Sequence, residues 1–270
     1  MEFRPRLPAE GINVSHTHPL REAFVLVGGV LAVTALFMVL SALAIDLIVP
    51  HIPPHWEARI FAGLWAGSNE EDLDQETRQQ RQAVQALLDR LAAHWPEAPY
   101  RFRVSILDQP TPNALAFPGG LIGVTSGLLE QVESENELAF VLAHELGHFR
   151  HRDHLRSLGR GLVLGFVLTL ATGSSQLLQL APMLAERSFA RKQERESDGF
   201  GLELVYREYG HVAAANDFFQ RITEPGLPLA RELEGYLSTH PVSETRVADL
   251  WTLAQQRGWP LRGEPLPFSY

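Results

Sequence analysis

Cysteine is absent from the 270-residue chain. Disulfides, thiolate metal sites, thiol nucleophiles and lipidation on cysteine are thereby excluded, and the redox character of the compartment stays open. Positive charge is scarce: 23 lysines and arginines stand against 32 acidic residues, a formal net charge of −9. That balance argues against a nucleic-acid partner. No repeat of helical-pair length is visible, so no repeat scaffold is expected. Charge is missing altogether from Phe24 to Ile45 (FVLVGGVLAVTALFMVLSALAI), and about 20 apolar residues span a bilayer as a helix. A secretory signal is the competing reading, because Ala42-Leu43-Ala44 resembles a cleavage site. Against it, the run exceeds the roughly 7–15 residues of a signal core and follows a long polar stretch. An uncleaved anchor, residues 23–49, is therefore expected in the lipid bilayer. Arg4, Arg6 and Arg21 precede it, and only Arg59 follows before Arg78. Positive charge favours the cytoplasmic side, which leaves the N-terminus inside. The chain then reads as a single-pass protein of a bacterial inner membrane with its bulk in the periplasm.

The rest divides into a tail (1–22), a linker (50–75), a catalytic domain (76–256) and a C-terminal tail (257–270). Pro50, Pro53 and Pro54 stop the membrane helix. Gly67 to Asp74 reads as a polar loop. Asp74 to Trp95 reads as an amphipathic helix, with Val84, Leu87, Leu88 and Leu91 at helical spacing. Arg101–Leu107, Asn113–Phe117 and Leu121–Thr125 read as strands, the last two joined by a turn at Pro118-Gly119-Gly120. The class is α+β: mostly helical, with a small antiparallel sheet. An exposed sheet edge can hold an extended peptide, and Asn113 and Ala114 begin one candidate edge; an ordinary hairpin is the alternative. Gly161 to Ala185 is uncharged, but its strongly apolar part is about 13 residues, short for a span. Helices packed over the site, lying at a membrane surface or buried in a core are the options there. Further helices are expected at His211–Ile222, Ala230–Leu237 and Val242–Gln256.

The chain is organised around His144-Glu145-Leu146-Gly147-His148. Ser134 can cap the helix that carries it, with Glu137 completing a capping box. Histidines four apart share one face and can grip one ion, with Glu145 poised over a bound water. Zinc suits two imidazoles and a carboxylate, with a position left open for water. Two solvated histidines on a surface helix are the bland alternative. Phe140, Val141, Leu142, Ala143 and Leu146 argue for burial instead, where unpaired imidazoles are costly.

A third ligand is needed. His154 stands ten residues after His144, the metzincin spacing, but His151 occupies the position where that pattern needs glycine, and only Met183 offers a Met-turn. His151 and His154 fit better on a basic helix end with Arg150, Arg152 and Arg156. Glu194, on a predicted helix from Phe189, is the other candidate, with Glu196 after it. Asp198 shares the face of Glu194 and can accept the N–H of a ligating histidine. His51, His55 and His94 read as surface residues.

HELGH, the E-x-x-x-D of RKQERESDGFGL, and Ser238-Thr239-His240-Pro241 with Arg246 together resemble the gluzincin metallopeptidases that include HtpX, the CAAX prenyl endopeptidase and the BepA-type periplasmic proteases. Asn113-Ala114 and Pro118-Gly119-Gly120 look like that family's segment before the metal-binding helix. The resemblance covers roughly residues 50–250. It implies a zincin-like domain with one zinc per chain, held by His144, His148 and Glu194, with Glu145 as general base. It places His240 near the site, as oxyanion stabiliser or as occupant of the open position in a resting state, and gives Arg246 to Asp198 or to substrate. Ser197 stands where the family usually has alanine. HtpX and the prenyl endopeptidase carry several membrane helices, so the single-anchor bacterial members match better. The expectation is a zinc metalloendopeptidase cutting peptides or unfolded proteins, in quality control of the envelope. The competing class is a non-catalytic, chaperone-like protein with structural zinc, in which Glu145 would have no use.

Overall fold

The structure is a computed structural model and describes residues 18–61, 74–174, 176, 191–223, 239–240 and 243–269. The tail with Arg4 and Arg6, the loop 67–73, the end of the second apolar stretch with Met183, and the predicted helix 230–237 lie outside the described residues. Contacts divide the chain into two units, Met1–Leu43 and Ala44–Tyr270. In the first unit the described residues form most of α1 (Pro19–Ile48), which has no buried residue among them. From Pro19 to His51 the helical segment is long and apolar enough to cross a membrane.

The second unit contains α2 (Pro54–Phe61), α3 (Gln75–Ala93), β1 (Arg103–Leu107), β2 (Ala114–Phe117), β3 (Leu121–Thr125), α4 (Ser126–Gln131), α5 (Glu135–His151), α6 (Asp153–Thr172), α7 (Arg191–Tyr209), α8 (Asp217–Thr223) and α9 (Glu244–Arg257). The expected small sheet is present, but its pairing is mixed rather than antiparallel throughout. Its order is β1-β3-β2, with β2 antiparallel and β1 parallel to β3. The chain crosses from β1 to β2 before the tight turn returns β3 into the slot between them. Gly119 and Gly120 make that turn with φ of 90° and 86°, values glycine adopts without steric cost. All five residues of β3 are buried, as its unbroken apolar run requires of a central strand.

Helix α5 lies at the middle of the core. Asn136 to Phe149 are all buried, so the helix needs no polar face. Ser134 caps it, its Oγ accepting from the Glu137 N–H at 3.3 Å. Glu137 does not close the capping box on Ser134; its Oε2 accepts from the Glu133 N–H at 3.0 Å and takes the Arg221 guanidinium at 2.7 Å. α3 packs Val84, Leu87, Leu88 and Leu91 into the same core. Arg257, expected to open the C-terminal tail, ends α9; beyond it the described residues form no helix or strand, yet the segment is tied down: Leu266 O accepts from Glu135 N–H at 2.8 Å.

α5 and α7 make the most extensive contact between two elements, and glycine permits it. A Cβ on Gly147 would lie 2.6 Å from Ser197 Cα, and one on Gly201 would lie 2.9 Å from His144 N. α5 ends at Arg152, which takes left-handed φ 58°, ψ 32° and starts α6 directly. His154 is therefore not on an exposed basic helix end; it is buried in the first turn of α6. α6 runs unbroken for 20 residues and is long and apolar enough to cross a membrane, longer than the apolar core alone suggests because the helix starts at Asp153, eight residues before that core. Leu162, Phe166 and Leu170 on it are exposed.

Candidate metal centre

α5 and α7 bring His144, His148 and Glu194 together, and His240 joins them. One ligand-type atom from each of the four lies within 4.8 Å of the others, and all four side chains are buried. His144 Nε2 is 3.1 Å from His148 Nε2 and 3.3 Å from His240 Nδ1. Glu194 Oε2 is 3.5 Å from His144 Nε2; its Oε1 is 3.5 Å from His148 Nε2 and 3.3 Å from His240 Nδ1. Donors bound at about 2.0–2.1 Å to a tetrahedral ion are separated by about 3.3–3.4 Å. The five separations, which draw on both Glu194 oxygens, lie close to that edge, and the four side chains could hold one metal ion.

The outer nitrogens are oriented by carboxylates. His148 Nδ1 donates to Asp153 Oδ2 at 3.2 Å and lies 3.1 Å from Ser197 Oγ. His144 Nδ1 stands 2.9 Å from Asp198 Oδ1, close but off the line of a straight hydrogen bond. A cation between them would let both imidazoles keep N–H groups outward and turn Nε2 lone pairs on one point. Burial opposes charge on the site, yet the electrostatics resist it. Glu194 is held well below the usual carboxylate range by His240, His144 and His148. His148 is pushed up to about 10, as Asp153 and Glu194 outweigh burial. Such mutual dependence is what a cation in their midst would replace.

Arg246 turns three nitrogens inward: Nε and Nη2 bind Asp198 at 2.8 and 2.7 Å, and Nη1 stands 2.8 Å from Glu194 Oε2. Of the two roles open to it in the sequence, partner to Asp198 is the one this geometry serves. Glu145 is fully buried, and neither of its oxygens has a hydrogen-bond partner among the described residues. Its Oε1 lies 3.5 Å from His240 Nε2. Ala114 begins edge strand β2, and Asn113 immediately precedes it. The Asn113 side chain accepts from its neighbour Ala114 N–H at 2.9 Å and from Thr239 Oγ1 at 3.3 Å, linking the edge to the His240 segment.

His154 and Glu196 are not part of the cluster. His154 Nε2 binds Glu57 at 2.8 Å, and Glu196 faces Lys192 at 3.7 Å near the surface. His94 binds Glu208 at 2.9 Å. Sequence reasoning missed Asp153, Ser197 Oγ and Glu57. Asp153 was hidden because the break at Arg152 carries no glycine or proline to announce it.

A family profile described as Peptidase family M48 matches residues 74–254. The chain is similar to the beta-barrel assembly-enhancing protease of Yersinia pestis, 27% identical over 190 residues, covering 65% of this chain and 39% of that protein. It is also similar to the mitochondrial metalloendopeptidase OMA1 of Schizosaccharomyces pombe, 30% identical over 169 residues, covering 61% of this chain and 50% of that protein. A third relative is the mitochondrial metalloendopeptidase OMA1 of Danio rerio, 29% identical over 166 residues, covering 54% of this chain and 34% of that protein. The chain thus spans half or less of the length of these relatives.

Proposed function

The chain belongs to peptidase family M48 and carries that family's metalloprotease domain, and on this premise we propose that it is a zinc endopeptidase of a membrane compartment. His144, His148 and Glu194 would hold the ion, and Glu145 would act as general base. The observation that carries the reading is the pairing of a donor set at tetrahedral spacing with an adjacent buried carboxylate that has no hydrogen-bond partner of its own among the described residues. A purely structural ion has no use for such a carboxylate.

Zinc, when bound, supplies a Lewis acid and lowers the pKa of a coordinated water to about 7. Glu145 takes a proton and returns it to the leaving amine. Asp153 and Asp198 hold the two imidazoles in the tautomer that presents Nε2 inward. Arg246 acts through Asp198 and Glu194, fixing both carboxylates. An extended substrate would add along the free edge of β2. With the Ala114 amide already taken by Asn113, pairing would fall on Ala116, and Asn113 would sit at the end of the substrate strand.

The anchor would be residues 23–49, single-pass, with the domain on the periplasmic side of a bacterial inner membrane. The support is the apolar helix and the excess of arginine before it. Relatives named for beta-barrel assembly and for mitochondrial endopeptidase activity point to protein substrates and to envelope quality control. The test is peptidase activity of the full-length protein on an unfolded protein substrate beside Glu145→Gln. Loss of activity with metal content unchanged supports the enzyme; a variant as active as the wild type returns the domain to a binding role.

A latent state is favoured by one observation. His240 Nδ1 lies within reach of the other three donors, and it would occupy the fourth position in place of water. His240→Ala would then raise activity, and a fall would remove the idea.

A further inference from the structure

Glu57 lies on α2, in the stretch the sequence offers only as linker. Its side chain is wholly buried. The carboxylate accepts from Tyr100 Oη at 2.9 Å, Gly119 N–H at 2.8 Å, Arg152 Nη2 at 3.0 Å and His154 Nε2 at 2.8 Å. Burying an ion costs several kcal/mol unless its lone pairs are met, and here they are met four times. The donors come from the approach to β1, from the β2–β3 turn and from both sides of the α5–α6 break. Arg152 also donates through Nη1 to Ile52 O, just before α2.

Arg152 is the residue whose conformation makes the break. A non-glycine residue at φ 58° is strained and persists only where its surroundings hold it. Between Arg152 and His154 stands Asp153, and Asp153 Oδ2 accepts from His148 Nδ1 at 3.2 Å. The residues flanking Asp153 are thus both tied to one buried carboxylate, and Asp153 itself is tied to the metal cluster. Gln193 Nε2 and Arg156 Nη1 hold its other oxygen.

We propose that Glu57 is a positioning residue for the metal centre. It fixes the left-handed turn at Arg152 so that Asp153 is aimed at His148, and it couples that geometry to the segment that follows α1. The inference rests on the reading of His148 as a metal ligand. A merely structural staple would behave differently: every donor to Glu57 would then matter alike, through stability alone. Tyr100 and His154 separate the two cases. Both bind Glu57, but His154 is the chain neighbour of Asp153, whereas Tyr100 reaches only the flanking residues, its ring set edge-on to His154 at 6.1 Å, a contact that Tyr100→Phe keeps.

The test uses the full-length protein in detergent. Zinc affinity is measured by competition with a chromophoric chelator, and the melting temperature of the metal-free protein is recorded beside it, for the wild type, Glu57→Gln, His154→Gln and Tyr100→Phe. Changes in groups that orient a ligand cost roughly 10–100-fold in metal affinity. Glu57→Gln and His154→Gln are expected to weaken zinc about tenfold or more, and Tyr100→Phe to lower the melting temperature with zinc affinity unchanged. Should Glu57→Gln fail to fold, the comparison of His154→Gln with Tyr100→Phe decides alone. Wild-type zinc affinity in His154→Gln, or an equal loss in both that tracks stability, overturns the proposal. A wild type that binds no zinc overturns the metal reading itself and with it this one.

Discussion

Replacing Gly147 by alanine should separate the two helices that build the metal centre. The added Cβ would lie 2.6 Å from Ser197 Cα, 2.8 Å from Ser197 Cβ and 3.0 Å from Ser197 O. Carbon atoms settle at about 3.5–4.0 Å, so α5 and α7 would have to part by about 1 Å. Glu194 rides on α7 and now stands 3.5 Å from both His144 Nε2 and His148 Nε2. That is already at the edge of the roughly 3.3–3.4 Å that tetrahedral coordination accepts, and a further ångström would take it out of reach. Overpacking alone costs about 1–3 kcal/mol. Loss of a direct ligand should cost more zinc affinity than the roughly 10–100-fold typical of an orienting group. Chelator competition on the full-length Gly147→Ala protein, with thermal melting beside it, measures both. Ser197→Gly should not rescue the variant, because the nearest atom is backbone. Zinc affinity within twofold of wild type, in a folded Gly147→Ala protein, would refute the claim that the helix crossing sets the donor spacing.

Ser197→Ala should leave zinc affinity within a few-fold, since Asp153 Oδ2 serves the same His148 nitrogen at 3.2 Å; a loss above tenfold in the same assay would make Ser197 the orienting group instead. Acid should reveal Glu57. Burial pushes its carboxyl up, but His154, Gly119 and Tyr100 prevail and lower it from 4.5 to about 2. A depressed carboxylate stabilises fully above its unfolded pKa and loses that contribution as pH falls through the folded one. The gap in unfolding free energy between wild type and Glu57→Gln should be steady above about pH 5 and narrow toward pH 2; a gap that widens on acidification would contradict the assignment.

Much of this was legible in the sequence because helical periodicity makes some distances local. His144 and His148 meet because they are one turn apart, and the apolar residues around them put the helix in the core. Glu194 and Asp198 share a face for the same reason. Strand existence was legible in Val104, Ile106 and the glycine turn, but strand order was not: the slotting of β3 between β1 and β2 depends on a nonlocal pairing that no spacing encodes. The break at Arg152 was invisible for another reason. An arginine carries no intrinsic preference for left-handed backbone, and the conformation is supplied by Glu57, nearly a hundred residues earlier in the chain. Asp153, His154 and the tie to α2 all follow from that one long-range contact.

The most direct measurement of the central claim is the zinc content of the purified full-length protein beside Glu194→Ala. The account predicts about one zinc per chain in the wild type, with the ion lost or greatly weakened in the variant, because Glu194 supplies the carboxylate that meets both histidines at 3.5 Å. Zinc held equally by both proteins, or by neither, would contradict it.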